Sequence, residues 1–383
     1  MQNKLKKVLF WNFYLIILTF FFLFLDFVIT KTFFSNFYKT NKNKVEKQNQ
    51  YWRVKNKIYH HDFLPNINVI EDNGKFGKYN FITNSMGFKD KVNRNISYKK
   101  KDYRIVFIGD SFTEGLFLPY NKTFVGIIDE KLSSKNIEIL NASVSSYSPL
   151  IYFKKIEFLI ENGFEFDELI VFIDISDIED EAIVYKLDNF KVIKIKDKKK
   201  IQRKKNTRNY IDFLKKNFYI SYSFLNFIHD KTIPTLNKSK ITEEEFINFI
   251  ISDKHTRDKW TINKEIRNKY EIGIANSLKY MKLLNDLCKK YNIKISIAVY
   301  PWISQIYYED LDSLQVSIWQ TFSNKNKIKF YNFFPDFINN QKNLNKIDYI
   351  KKVTIPFDTH FNEKGNRIIG ENFVKRYIEF ETQ

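Results

Sequence analysis

The stretch RIVFIGDSFTEG, residues 104–115, decides the fold of this 383-residue chain. The four residues after Arg104 are apolar, and such a short run is typical of a buried β-strand. The run stops at Gly109, and the turn that follows carries Asp110 and Ser111. Open α/β sheets bind their ligands at the carboxyl ends of the strands. The stretch therefore predicts a strand of such a sheet, with the hydroxyl of Ser111 at the ligand-binding edge.

Apolar runs alternate with helical patterns on both sides of residues 185–270. The predicted strands are 104–108, 137–141, 169–173, 293–299 and 328–332, and the predicted helices are 123–132, 150–162, 273–291 and 311–324. This alternation is typical of parallel βαβ units. We expect a three-layer α/β/α sandwich with a central parallel sheet over residues 103–383, interrupted by an insertion at about 185–270. Two helix-like pieces lie in the insertion, at 210–227 and 243–251; we expect the first to cover the sheet, although it is aromatic enough to touch lipid.

Residues 8–30 form an almost wholly apolar segment. About 22 residues at ~1.5 Å each cover a bilayer core of ~30 Å, so this segment is predicted to span a membrane. No small-residue cleavage pattern follows, which favours an uncleaved anchor over a removed signal peptide. Lysines in residues 1–7 indicate a cytoplasmic N-terminus, although more lysines follow in the predicted tether, residues 31–50. Residues 51–102 are rich in turn formers and are predicted to wrap the main domain, which we expect outside the cytoplasm.

The formal charge of +19 raises nucleic acid as a partner, but no helix-turn-helix, zinc-ligand or RNP-like pattern accompanies it, so none is expected. With Cys288 as the only cysteine, no internal disulfide or thiolate metal cluster can form. His60 and His61 lack further ligands at suitable spacing for a metal. The carboxylates of residues 174–181 are expected to cap a helix rather than to bind a cation. The sequence thus predicts neither a metal nor a cofactor.

A serine, a histidine and an aspartate are available for nucleophilic catalysis. A serine hydroxyl is a poor nucleophile at neutral pH, and an imidazole held by a carboxylate removes its proton as it attacks. Asp358 lies two residues before His360, so one loop can present both side chains to Ser111. Gly-Asp-Ser after the first core strand and Asp-x-His before the last helix form a much stronger signal together than either does alone. The sequence predicts Ser111 as nucleophile, His360 as base and Asp358 as the residue that orients it.

The order of these motifs resembles the SGNH, or GDSL-type, hydrolase superfamily, whose sheet is flavodoxin-like. The resemblance covers roughly residues 103–181 and 272–377 and is carried by Gly109-Asp110-Ser111 and Asp358-Thr359-His360. The α/β-hydrolase elbow differs, since it needs glycines two residues either side of the serine, and Thr113 stands on one side here. The Asp-Thr-His form is similar to that of membrane-associated polysaccharide O-acetyltransferases of the superfamily. The resemblance therefore implies acyl chemistry on envelope glycans.

The resemblance also implies an oxyanion hole built from the serine N–H, a glycine and an asparagine. This chain has Ser146 where the glycine belongs and Ser176 where the asparagine belongs. The backbone N–H of Ser146 survives the first change, but a serine is strained there if the position needs a positive φ. The Ser176 hydroxyl can donate but reaches less far than an asparagine amide. Losing one such donor typically costs about 10²- to 10³-fold in rate, so a weakened enzyme is a better reading than an inactive one.

These features predict a membrane-anchored serine esterase or O-acyltransferase acting on O-acyl groups, acetyl in the favoured case, of envelope carbohydrate. Its partners would be the acylated carbohydrate, the membrane and envelope-polysaccharide assembly proteins. Asp110 and Trp302 are candidates for contact with substrate, although a tryptophan after a strand more often packs in the core. Two alternatives remain open: a catalytically degenerate module of the same fold that binds glycan, and a basic protein that docks through the lysine cluster at 194–205.

Overall fold

The computed structural model describes residues 2–34, 52–72, 77–195, 210–232, 245, 247, 250, 253–341, 344–355 and 358–381. Three predicted features fall mostly outside these ranges: the tether, the lysine cluster at 194–205 and the helix at 243–251. The chain divides into two units, one of Met1–Tyr51 with Lys196–Ile241 and the other of Trp52–Ile195 with Thr242–Gln383.

The second unit contains all the described strands. They are β1 (Arg53–Asn56), β2 (His60–Phe63), β3 (Asn68–Asp72), β4 (Lys78–Ile82), β5 (Tyr103–Ile108), β6 (Ile137–Asn141), β7 (Glu168–Ile173), β8 (Tyr185–Asp188), β9 (Lys191–Lys194), β10 (Lys294–Val299) and β11 (Lys329–Asn332). Five of them form one sheet in the order β11-β10-β7-β5-β6, and every neighbouring pair is parallel. The remaining six pair as antiparallel hairpins, β1 with β2, β3 with β4 and β8 with β9.

The helices follow the strands in the expected alternation. They are α1 (Gln2–Ile29), α2 (Ser111–Glu114), α3 (Phe124–Leu132), α4 (Pro149–Glu161), α5 (Asp177–Glu179), α6 (Tyr219–Thr232), α7 (Lys264–Lys269), α8 (Glu271–Lys290), α9 (Ile303–Tyr307), α10 (Leu314–Asn326), α11 (Phe334–Ile338), α12 (Lys346–Val353) and α13 (Glu363–Glu381). Each predicted core strand and helix is present, with ends that differ from the prediction by three residues or fewer. The central parallel sheet with surrounding helices confirms the predicted fold class.

Alternate residues of the central strands serve two cores, since successive side chains of a strand point to opposite faces. On one face, Val171 and Ile173 belong to a buried cluster with Leu150 of α4 and Met281 and Leu284 of α8. On the other face, the ring of Phe172 lies between Phe124 of α3, 4.5 Å away, and Phe373 of α13, 6.3 Å away. Strand β7 is buried along its whole length as a result. This explains its continuous apolar sequence.

The predicted wrapping segment, residues 51–102, contains two hairpins rather than irregular chain. Burial alternates along β3 and β4 but not along β1 and β2, and each strand has only four or five residues, which is why the sequence shows little periodicity there. The third hairpin, β8–β9, lies at the start of the predicted insertion and meets the wrapping segment, because the Val192 N–H donates to the Ile58 carbonyl. Within the described residues, the insertion thus contributes its beginning, and its end from Asp253 onward, to the unit that contains the sheet.

The first unit pairs α1 with residues 210–232. Residues Leu9–Phe34 are long and apolar enough to cross a membrane, as the sequence predicts. Near the end of that segment the buried carboxylate of Asp26 accepts hydrogen bonds from the Ile220 and Ser221 N–H groups, at 3.0 and 2.8 Å. The Thr30 hydroxyl accepts from the Tyr219 N–H at 2.9 Å. Asp26 therefore satisfies the first turn of α6, and residues 210–232 group with α1 in this unit. That the predicted helix at 210–227 covers the sheet stays a prediction.

Candidate active site

Ser111 begins a short helix directly after β5. Asp110 is the N-cap of α2, and its carboxylate accepts a hydrogen bond from the Phe112 N–H at 2.9 Å. A Cβ at Gly109 would lie 2.1 Å from the Thr113 hydroxyl oxygen and 2.9 Å from the Phe172 carbonyl oxygen. Only glycine therefore fits between the end of β5 and this turn. As the first helical residue, Ser111 has an N–H with no partner inside its helix.

Ser111, His360 and Asp358 are brought together by the loop before α13. The Ser111 hydroxyl oxygen lies 2.7 Å from Nε2 of His360. On the other side of the ring, Nδ1 contacts Oδ1 of Asp358, which also accepts the His360 backbone N–H at 2.9 Å. A carboxylate can only accept, so Nδ1 carries the proton and Nε2 is left as the acceptor that faces Ser111. This is the arrangement of a nucleophile, its base and an orienting carboxylate.

The environment raises the pKa of His360 above its ordinary value of 6.5. Burial lowers that pKa, but the hydrogen bond and the negative charge of Asp358 outweigh it. The ring of Phe112 stacks on the imidazole, with centroids 4.6 Å apart. The base is thus held on one face by an aromatic ring and along its edge by a carboxylate. It can take up a proton readily when the serine attacks.

Asp110 belongs to a buried network and also lines the cavity beside Ser111. Its Oδ2 lies 3.1 Å from the Ser111 hydroxyl oxygen, and its Oδ1 accepts from the Tyr300 hydroxyl at 3.2 Å. Tyr300 also donates to Asp174, at 2.8 Å. Burial, with the nearby charge of Asp174, raises the pKa of Asp110 to about 8. The environment therefore favours the protonated form of the carboxyl next to Ser111.

Trp302 completes this network. Its indole N–H donates to Asp174 at 2.7 Å, and its ring stacks on Phe112 at 5.7 Å. Only 5% of its surface is exposed, although it lines the cavity beside the serine. Packing in the core, which the sequence analysis weighed against contact with substrate, accounts for most of the buried surface of Trp302. Both candidates for substrate contact, Asp110 and Trp302, line the cavity, and their contact with substrate stays a prediction.

Ser146 adopts the backbone conformation that makes a glycine useful. The Tyr147 N–H donates to the Val144 carbonyl at 3.1 Å, which closes a turn with Ser145 and Ser146 at its centre. The φ angle of Ser146 is 65°, and that of Ser145 is not positive. A positive φ at the third position alone defines a type II turn, which prefers glycine there. The serine is therefore strained, as the sequence analysis foresaw for a position that requires a positive φ.

A cavity of about 250 Å³ connects these groups. Its lining residues are Asp110, Ser111, Ser146, Ser176, Asp180, Arg257, Trp302, Asp358, Thr359 and His360. Neither the Ser111 nor the Ser146 N–H donates a hydrogen bond to any of the described residues. Ser176 is 2% exposed, and its own N–H donates to Asp174 at 2.8 Å, so only its hydroxyl is available to the cavity. The cavity thus combines the Ser111 hydroxyl with N–H and O–H groups that can donate to a negative charge.

Arg257 lies at this cavity but was not found by the sequence analysis. It comes from a 3₁₀ segment, Asp253–Thr261, at the end of the insertion. Its guanidinium pairs with Asp180 at 2.7 Å and donates to the Ser176 carbonyl at 3.4 Å. Trp260 of the same segment is fully buried and donates to the Ile175 carbonyl at 2.8 Å. Local sequence gives no signal for this, because the segment is placed by contacts with residues about 80 positions earlier.

The wrapping segment reaches the site through Arg53. Its guanidinium forms two hydrogen bonds with the buried carboxylate of Glu114, at 2.6 and 3.1 Å. The same carboxylate accepts the N–H and the hydroxyl of Ser145, each at 2.7 Å. Burial raises the pKa of Glu114, but the charge and hydrogen bonds of Arg53 outweigh it and lower that pKa below the ordinary 4.5. One ion pair therefore joins the wrapping segment, the nucleophile helix and the turn that contains Ser146.

Of three comparisons with known proteins, the one with solved structures found similar chains. No protein-family model and no curated protein matches it. The solved structures that it is similar to include the psychrotrophic esterase EstA from Pseudoalteromonas sp. (11% identity, 74% of this chain and 100% of that chain, TM-score 0.38). A member of the lipolytic G-D-S-L family from Veillonella parvula DSM 2008 matches at 13% identity, over 71% of this chain and 97% of that chain, with a TM-score of 0.38. A catalytic mutant of Axe2, an acetylxylan esterase from Geobacillus stearothermophilus, matches at 11% identity, over 73% and 95%, with a TM-score of 0.39. At TM-scores below 0.4, the chemistry has to be inferred from the site itself.

Proposed function

We propose that this chain is a membrane-anchored serine esterase or O-acyltransferase of the SGNH type. The observation that carries the proposal is the hydrogen-bonded chain from Ser111 through His360 to Asp358, beside two backbone N–H groups that have no acceptor in the described part of the protein. A buried serine, histidine and aspartate need no such alignment to stabilise a fold. Their order and protonation state are those of nucleophilic catalysis.

The reaction follows from these positions. The Ser111 oxygen attacks the carbonyl carbon of an ester while its proton passes to Nε2 of His360. The negative charge that develops on the carbonyl oxygen is stabilised by the N–H groups of Ser111 and Ser146, with the Ser176 hydroxyl as a third donor. The ester C–O bond breaks, and the leaving hydroxyl takes the proton from His360. Water or a sugar hydroxyl then releases the acyl group from Ser111 by the same steps in reverse order.

The size of the cavity supports a short acyl group. At about 250 Å³ it lies below the range of roughly 300–1,000 Å³ that drug-sized ligands occupy. Acetyl is therefore the favoured acyl group. An envelope carbohydrate as acceptor or donor follows from the proposed membrane anchor, Leu9–Phe34, and from the Asp-Thr-His motif. Assembly proteins for envelope polysaccharide are the partners that such a role would require.

The test is ester turnover by the full-length chain in detergent. We expect hydrolysis of 4-nitrophenyl acetate to exceed that of the octanoate ester, and a fluorophosphonate probe to label the protein. Ser111→Ala should abolish both signals, whereas the matched control Ser133→Ala, an exposed serine outside the site, should keep both. Wild-type protein that is neither labelled nor active would favour the alternative, a glycan-binding module without catalysis, for which the strained Ser146 is the supporting observation.

Membrane orientation needs its own experiment. Lysines before the apolar helix predict an N-terminus in the cytoplasm and the sheet domain on the other side. A periplasm- or exterior-dependent reporter enzyme fused after residue 50 should then be active, and a reporter that works only in the cytoplasm should be inactive at the same position. The opposite pair of results would rule out an envelope substrate.

A further inference from the structure

We propose that His60 and His61 act as positioning residues that hold the oxyanion donor of Ser146 in its working orientation. The inference rests on the proposed function. It assigns a role to a histidine pair that lies in the wrapping segment, outside the catalytic motifs. The residue that does the chemistry is unchanged; what the pair controls is the direction of one peptide group.

The contact that matters is made with the carbonyl of Ser145. Nε2 of His61 lies 2.8 Å from that oxygen. The carbonyl of Ser145 and the N–H of Ser146 belong to the same trans peptide group, so the two point in opposite directions. Because the Ser145 carbonyl points towards His61, the Ser146 N–H points away from His61. That N–H donates to none of the described residues, and Ser146 lines the cavity beside Ser111.

His60 determines which ring nitrogen of His61 carries the proton. Nδ1 of His60 lies 2.8 Å from Nδ1 of His61. A carbonyl can only accept, so His61 must carry its proton on Nε2, and its Nδ1 must accept the proton of His60. Burial lowers the pKa of His61 to about 4, so the ring is neutral and has a single N–H at working pH. The result is a fixed order of donors, from His60 through His61 to the Ser145 carbonyl.

The turn itself explains why such a device is needed. Type I and type II turns differ by a flip of the central peptide, which here is the one between Ser145 and Ser146. The type II form needs a positive φ at Ser146, which glycine tolerates and serine does not favour. A serine therefore biases the turn towards the flipped form, in which a carbonyl replaces the N–H at the oxyanion position. The hydrogen bond from His61 opposes that flip.

The rest of the turn is held independently, so the flip is a local event. Glu114 keeps the N–H and hydroxyl of Ser145 in place, at 2.7 Å each. The Tyr147 hydroxyl donates to the His61 carbonyl at 2.7 Å, and its ring lies 4.9 Å from the imidazole. These contacts fix the ends of the turn and the histidine. The orientation of the central peptide is what His61 Nε2 decides.

Four variants of the full-length chain test this in the acetyl ester assay. His61→Phe keeps a ring in the same space but cannot donate, and we expect kcat to fall by about 10²-fold with KM within about threefold, as for the loss of one oxyanion donor. His61→Gln keeps an N–H for the carbonyl and should retain most of the wild-type kcat. Ser146→Gly removes the bias towards the flipped turn. It should raise kcat at least tenfold more in the His61→Phe background than in the wild type.

The outcomes separate the inference from the function on which it rests. Absence of turnover in wild type and all variants overturns the proposed function. If the wild type is active, three results would overturn the positioning role. They are a kcat of His61→Phe equal to that of the wild type, a kcat of His61→Gln as low as that of His61→Phe, and an effect of Ser146→Gly on kcat that is the same in both backgrounds. Should His61→Phe not fold, His60→Phe serves instead: a phenyl ring has no N–H, so the variant removes the donor that fixes the His61 tautomer, and its smaller loss of kcat must again be reversed by Ser146→Gly.

Discussion

Replacement of Glu114 by glutamine should destabilise the protein strongly, because it leaves a largely buried arginine without its counter-charge. The glutamine keeps one oxygen for the Ser145 donors, but its amide NH₂ then faces the guanidinium of Arg53, which is itself a donor. Removing one partner of a buried ion pair costs about 3–5 kcal/mol. Since 20% of the Arg53 side chain is exposed to water, the loss is expected at or just below the lower end of that range. We expect a loss of about 2–3 kcal/mol in the free energy of unfolding at pH 7, or roughly 30- to 150-fold in the folding equilibrium.

The measurement is urea unfolding of the full-length chain in detergent, followed by the fluorescence of buried tryptophans such as Trp52 and Trp260. Glu309→Gln is the matched control, since Glu309 pairs with Lys346 at 3.0 Å and both side chains are about half exposed. Such exposed pairs contribute less than about 1 kcal/mol. A loss for Glu114→Gln no larger than that of the control would refute the reasoning.

The same variant has a definite pH dependence. Folding lowers the pKa of Glu114 from its ordinary 4.5, so its contribution to stability is complete above pH 4.5 and is lost as pH falls through the lower value in the folded state. The stability difference between wild type and Glu114→Gln should therefore stay constant from pH 7 to pH 5 and shrink below pH 4.5. A difference that grows on acidification would contradict the assigned ionisation of Glu114.

Other predictions concern the catalytic groups. Asp358→Asn should lower kcat by about 10⁴-fold with little change in KM, because the proton of His360 is then no longer held on Nδ1 and Nε2 is no longer free to accept from Ser111. The rate of acetyl ester hydrolysis measures this loss. In wild type, kcat/KM should fall on the acid side as His360 takes up a proton, with an apparent pKa above 6.5, and an acid limb centred well below 6.5 would argue against His360 as the base. The value of kcat/KM should fall again above about pH 8, where ionised Asp110 competes for the proton of Ser111. Asp110→Asn should remove this alkaline decrease, and a decrease that persists in the variant would show that a group other than Asp110 causes it. Ser146→Gly should raise the free energy of unfolding by about 0.5–1 kcal/mol, since relief of ~1–2 kcal/mol of left-handed strain exceeds the backbone entropy of glycine, and urea unfolding that shows a loss instead would exclude strain at this position.

The parts of the site that sequence could predict are those encoded locally. An apolar run that ends at Gly109 predicts both the strand and the turn, and an aspartate two residues before His360 needs only one loop to meet it. The glycine that the resembling family has at the position of Ser146 raises the question of a positive φ, and the structure shows one. The position of Arg257 and the link from His61 to the Ser145 carbonyl join residues about 80 positions apart. Only the three-dimensional path of the chain brings those together, and neither leaves a periodic or motif signal.

Asp26 makes the apolar N-terminal helix depend on a segment that is synthesised much later. Its carboxylate accepts from the backbone of Ile220 and Ser221, which follow it by 194 and 195 positions. During synthesis the helix therefore exists for a long interval in which, among these partners, only the Thr30 hydroxyl of the neighbouring turn is available to that charge. A bare carboxylate is costly in hydrocarbon, so this end of the helix has to remain within reach of water until α6 is made. In a membrane-anchored chain, residues 210–232 are thus the last part of the anchor to form. A chain truncated before them would lack the Ile220 and Ser221 donors to Asp26, and its apolar helix would take a different position in the bilayer from that of the finished protein.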